Sequence, residues 1–144
     1  MSETRELTAT GGLPSAYGSV LQKSGESVIA FMGVKAATEP AMFSYTIMQA
    51  PVYAQYGTTM VVTTEGYALY LGQMLYCMSV LSDGMTEPYV VGHSLGGSAA
   101  SLYASLGVSP GAFLVTFGSS PMFPKTSFET ARTPVGSTWV TMKD

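Results

Sequence analysis

The chain has 144 residues, with six Lys plus Arg against nine Asp plus Glu, a net charge of −3. That balance excludes a nucleic-acid-binding surface built on basic charge. One cysteine, Cys77, excludes an intrachain disulfide, and one histidine, His93, excludes a multi-histidine metal site. Charged residues make up 10% of the chain and hydrophobic residues 47%, which supports one packed domain and prompts a membrane check. The longest stretch without charge, Pro88 to Pro124, is filled with Gly, Ser and Pro; the better candidate span, Gly66 to Ser82, has 17 residues and includes Gln73, three tyrosines and two serines. A spanning helix needs about 20 mostly apolar residues, so this segment reads as part of a globular core. Met1 to Gly12 carries Glu3, Arg5 and Glu6 and no apolar run, so it reads as an arm and not as a signal peptide.

Ser27 to Phe31 is a short apolar, β-branched run between Gly25 and Gly33, and reads as a buried strand. Residues 34–44 read as a loop with one helical turn, Phe43 to Gln49 as a strand stopped by Pro51, and Tyr53 to Gly57 as a turn. From Gly66 to Leu81 the apolar residues Tyr67, Leu71, Met74, Met78 and Leu81 step by four and three, which predicts one helix with a buried stripe. Asp83-Gly84 ends it. Tyr89 to Val91 reads as a second buried strand, Gly92 to Gly97 as a sharp turn and Ser98 to Leu106 as a small-residue helix. Ala112 to Phe117 and Thr138 to Met142 read as further strands. Apolar strands alternating with helices predict an α/β fold: a mostly parallel sheet with helices on both faces.

The segment that carries chemistry is Gly92-His93-Ser94-Leu95-Gly96-Gly97, which contains the pattern G-x-S-x-G between an expected strand and an expected helix. That context is the nucleophile elbow of α/β hydrolases. A serine on so tight a turn needs neighbours without side chains at −2 and +2, and Gly92 and Gly96 meet that need. The Leu95 N–H then faces the place where an oxyanion forms, and the helix N-terminus adds partial positive charge. His93 adjoins Ser94 within the turn. It is expected to project away from the serine and pack beneath the elbow, and so not to act as general base.

With Ala99-Ala100 following it, this elbow resembles that of the fungal-type (class 3) triacylglycerol lipases. Other stretches resemble the same family in the same order. Val28 to Val34 is similar to the strand ending Phe-Arg-Gly-Thr/Ser, Val61 to Tyr67 to Val-His-x-Gly-Phe, and Val115 to Pro121 to Thr-Phe-Gly-x-Pro. Val140 to Asp144 resembles the strand end that presents the family's catalytic aspartate. The resemblance implies an α/β-hydrolase fold with Ser94 as nucleophile and Asp144 as the carboxylate that orients a histidine. It also implies an oxyanion hole from the N–H groups of Leu95 and Val34. Met32 and Val34 depart from the family, which has Arg and Ser/Thr there, so residue 34 offers only its backbone. A lid, where the family carries one, falls at Lys35 to Ser44.

The resemblance divides the chain into a lead-in, residues 1–26, and a partial lipase-like domain, residues 27–144. In this fold class the triad runs Ser, Asp, His, which expects the catalytic histidine beyond Asp144 and the chain to be a C-terminally truncated fragment. The implied activity is hydrolysis of lipid or acyl esters through a Ser94 acyl-enzyme, with no metal or organic cofactor. The expected partners are an acyl-ester substrate and transient contact with a lipid interface. The alternative is an inactive lipase-like domain that binds acyl lipids or serves as an interaction module. Met42, Met48, Met60, Tyr45, Tyr53 and Tyr56 cluster between two of the matched stretches. Core packing is the commoner fate of such residues, and an acyl-site lining the rarer one.

Overall fold

The apolar runs read as strands lie side by side in one sheet. In the computed structural model, which describes residues 2–8, 16–35, 37–119 and 138–142, six strands form that sheet. They are β1 (Ser2–Thr8), β2 (Tyr17–Lys23), β3 (Glu26–Phe31), β6 (Tyr89–His93), β7 (Phe113–Phe117) and β8 (Thr138–Met142), ordered β1-β2-β3-β6-β7-β8. A separate two-stranded ribbon joins β4 (Pro51–Tyr56) to β5 (Thr59–Thr64). A 3-10 turn (Pro40–Phe43) leads into α1 (Ser44–Ile47); α2 (Glu65–Gly72), α3 (Leu75–Leu81) and α4 (Leu95–Ser105) complete the described elements.

The β3–β6, β6–β7 and β7–β8 pairs are parallel, and β1–β2 and β2–β3 antiparallel, so the sheet is mostly parallel as expected. Parallel neighbours cannot be joined by a tight turn. β3 therefore reaches β6 through α2 and α3, and β6 reaches β7 through α4.

Several segments depart from the sequence reading. The segment read as an arm contributes β1, and the lead-in contributes β2, tied by a tight Ser24-Gly25 turn onto the antiparallel edge of β3. Phe43 to Gln49 is helical through Ile47, not extended: packing overrides its β-favouring residues, with Tyr45 fully buried inside it and Met42 fully buried just before it. Tyr53 to Gly57 is mostly strand, since β4 pairs through Tyr56 with Thr59 and the turn proper is Gly57-Thr58. The long helix breaks at Gln73-Met74 into α2 and α3, yet the expected stripe survives the break. Tyr67, Leu71, Met74 and Met78 are buried, and Leu81 half-buried.

The core lies between one face of the sheet and the helices. Ile29, Phe31, Val90 and Leu114 are buried on that face, and α4 is buried along its whole length. The Phe31 and Tyr103 rings meet at 5.4 Å, joining β3 to α4. A side chain at Gly18 would meet Met78 and Met74, so this face of β2 also carries the α2–α3 layer. On the opposite face Val28, Ala30, Val91 and Val115 are half-buried, while Tyr89 and Phe113 stack at 5.6 Å with 47% and 37% of their surface exposed. Among the described residues the helices thus cover one face of the sheet. No described helix is long and apolar enough to cross a membrane.

Candidate active site

The turn between β6 and α4 is strained where the motif puts its serine. Ser94 has φ 53° and ψ −122°, a left-handed backbone that L residues with a Cβ avoid. The strain is held on both sides. The Ser94 N–H donates to the Phe117 carbonyl of β7 at 2.9 Å, and the Ser94 carbonyl accepts from the Ser98 N–H at 3.2 Å. Such a conformation costs about 1–3 kcal/mol and persists only where the surroundings over-determine it.

The flanking glycines are required by close approach. A Cβ at Gly92 would run into the Gly96 carbonyl and sit 2.6 Å from the Gly97 nitrogen. A Cβ at Gly96 would run into the Phe31 carbonyl oxygen and sit 2.7 Å from the Met32 carbonyl carbon. The contacted atoms are all main chain, so no rotamer change relieves either clash. The first helical turn is thereby pressed against the end of β3.

α4 begins at Leu95, three residues earlier than the small-residue run from Ser98 suggests, with Ser94 at its N-cap. The Leu95 N–H is among those with no partner inside the helix, so it is available to an anion at the elbow. From the other side comes the loop after β3. A side chain at Gly33 would sit 2.7 Å from the His93 carbonyl oxygen and 3.6 Å from the Ser94 Cβ. Gly33 thus lies against the Ser94 turn, and half-buried Val34 follows one peptide later. The structure brings together Ser94, Leu95, Gly92, Gly96 and the Gly33-Val34 segment.

That loop has an anchor absent from the sequence reading. The Tyr70 side chain, fully buried on α2, places its hydroxyl 2.5 Å from the Met32 carbonyl oxygen and 2.9 Å from that of Tyr17. Tyr70 is three residues from Tyr67, at the margin of the buried stripe. Nothing in its spacing reveals where its hydroxyl ends. Burial pushes its phenol well above the ordinary value, so the hydroxyl stays protonated and remains a donor.

His93 ends β6, beside Phe117 in the sheet register, and is exposed; the expectation that it packs beneath the elbow is corrected. The strand stops there, so the residue has reached the rim of the sheet. Asp144 lies outside the described residues, which end in β8 at Met142, paired with Phe117. The Met and Tyr cluster divides. Met42 and Tyr45 are core, Met48 is partly buried, and Tyr53, Tyr56 and Met60 are exposed on the β4–β5 ribbon.

This geometry, a mostly parallel sheet with a strained serine between strand and helix, is that of the α/β-hydrolase fold. Within it, the fold is that of the fungal lipases. A triacylglyceride lipase of Rhizomucor miehei superposes with a TM-score of 0.68 at 14% identity, covering 96% of this chain and 56% of that one. The same organism's lipase in complex with its propeptide gives 0.69 at 17% identity, with 97% and 49% covered. A fungal lipase in complex with an inhibitor gives 0.70 at 15% identity, with 92% and 54% covered. The chain therefore spans about half the length of these lipases. No protein-family model and no curated protein matches the sequence.

Proposed function

We propose that this chain carries the nucleophile of a serine hydrolase acting on lipid or acyl esters. The observation that carries the reading is Ser94 at φ 53°, ψ −122° between β6 and α4, with the Gly33-Val34 loop against it. Backbone strain of this kind is retained where a side chain must be presented to a substrate. The lipase fold supports the same chemistry.

In this reading the Ser94 Oγ attacks the ester carbonyl carbon while its proton passes to a general base. The carbonyl oxygen becomes an oxyanion between the N–H groups of Leu95 and Val34. The intermediate collapses, the alcohol leaves with the proton returned by the base, and an acyl-enzyme remains. Water attacks the acyl carbon by the same route and frees the acid. Asp144 would orient the base. His93, on the rim at the end of β6, is not assigned that part.

The test is covalent labelling. A fluorophosphonate bearing an alkyl chain should phosphonylate the full-length gene product once, at Ser94, and Ser94→Ala should lose both the label and hydrolysis of p-nitrophenyl butyrate. Labelling at another residue, or turnover that survives Ser94→Ala, refutes the assignment.

A further inference from the structure

We infer that Tyr70 is a positioning residue for the oxyanion hole: its buried hydroxyl tethers the Met32 carbonyl and so fixes the Gly33-Val34 backbone against Ser94. This rests on the hydrolase reading above. It adds a residue from a different element, α2, that touches neither substrate nor nucleophile.

The tether is built from both sides. The Tyr70 hydroxyl has one proton, shared between the Met32 carbonyl at 2.5 Å and the Tyr17 carbonyl at 2.9 Å, and it accepts from the Tyr17 N–H at 3.4 Å. The Tyr17 carbonyl also accepts from the Met32 N–H at 3.0 Å, so Tyr70 caps the last rung between β2 and β3. The next peptide, Met32–Gly33, leaves the sheet and crosses the elbow. Its far side lies against the Gly96 turn and the His93 carbonyl. The elbow blocks movement in one direction and the Tyr70 hydrogen bond resists it in the other. Val34 is one peptide beyond the clamp.

The ring itself is held. Tyr45 meets it edge-on at 5.2 Å, and the Tyr45 hydroxyl accepts from the side chain of Gln73, the residue that caps the C-terminus of α2. The α1–α2 contact is close enough that a Cβ at Gly66 would run into the Tyr45 carbonyl. A rigid phenol on a packed helix is suited to holding a loop in place. Small misplacements matter there: removing one oxyanion donor costs about a hundredfold or more in kcat, and an error of about 1 Å costs a similar factor.

The experiment compares Tyr70→Phe with Tyr103→Phe in the full-length gene product. Tyr103 is the control because its hydroxyl is equally buried and bonded, to Ser109 at 2.7 Å and Ser82 at 3.0 Å, but contacts no part of the 32–34 loop. Tyr70→Phe should lower kcat for p-nitrophenyl butyrate at least tenfold with KM changed less than threefold, and should speed exchange of the Met32 amide. Tyr103→Phe should lower the melting temperature comparably while leaving both readouts near wild type. Equal kcat losses in the two variants, following the loss of stability, would overturn the inference. If Tyr70→Phe does not fold, the wild-type phenolic proton decides. A tethered hydroxyl exchanges slowly enough to be seen by NMR, and its absence from the spectrum also overturns the inference. Turnover indifferent to Ser94→Ala sinks the hydrolase reading instead, and the amide and phenolic readouts still tell whether Tyr70 holds the loop.

Discussion

Replacing Ser94 with glycine should stabilise the protein while abolishing the chemistry proposed for it. The Ser94 backbone sits at φ 53°, ψ −122°. For glycine that point is the mirror image of −53°, +122°, next to the β region that ordinary residues populate, so the strain arises from the Cβ alone. Removing the Cβ should return about 1–3 kcal/mol of strain. The more flexible glycine costs about 0.4–1 kcal/mol through the unfolded chain. The difference runs from about 0 to 2.6 kcal/mol in favour of glycine, or up to roughly 10 °C in melting temperature for a chain of this size. Ser94→Ala is the reference: it loses the same hydroxyl but keeps the Cβ and the strain. Urea and thermal denaturation of both variants measure the difference directly. Ser94→Gly no more stable than Ser94→Ala would refute the argument that the serine itself is held under strain.

Other expectations follow from the same geometry. Gly96→Ala places a Cβ against the Phe31 and Met32 main chain, and should cost at least about 1–3 kcal/mol in denaturant unfolding. Gly72→Ala, at the exposed end of α2 with nothing within 4 Å of the added carbon, should be neutral or stabilising by about 0.5–1 kcal/mol. The reverse ranking would show that the elbow is looser than described. Burial raises the phenols of Tyr70 and Tyr103, with hydrogen bonds partly opposing the rise. Their contribution is complete below the ordinary tyrosine value near pH 10. Above it the unfolded chain loses protons first, so stability falls by up to about 1.4 kcal/mol per pH unit for each tyrosine. Urea midpoints between pH 9 and 11 measure this, and Tyr103→Phe should flatten the decline; a profile unchanged by that substitution contradicts the assignment.

Much of the site was legible because its requirements are local. The pattern Gly92-x-Ser94-x-Gly96 between an apolar run and a small-residue run states a strand, a turn too tight for side chains and a helix. All three are present. The parallel order of β3, β6 and β7 follows from apolar runs separated by helical spacing, and the stripe from Tyr67 to Met78 is buried as its period requires. These features depend on residues within a few positions of one another, where period and steric need are readable.

The remainder was decided by contacts distant in sequence. Phe43 to Gln49 has the residue types of a strand, but burial of Met42 and Tyr45 made it helical through Ile47. The lead-in, residues 1–26, was assigned no strand, yet strand pairing needs only backbone, and β2 found an edge at β3. The helix expected over 66–81 broke at Gln73-Met74 without losing its buried face, because packing holds the side chains even where the backbone ladder is interrupted. The reach of the Tyr70 hydroxyl to Met32, 38 residues away, is invisible to any local pattern. The sequence by itself determined which residue stands on the elbow. The tertiary structure alone decided what holds the loop against it, because a hydrogen bond between distant segments has no signature in the spacing of either.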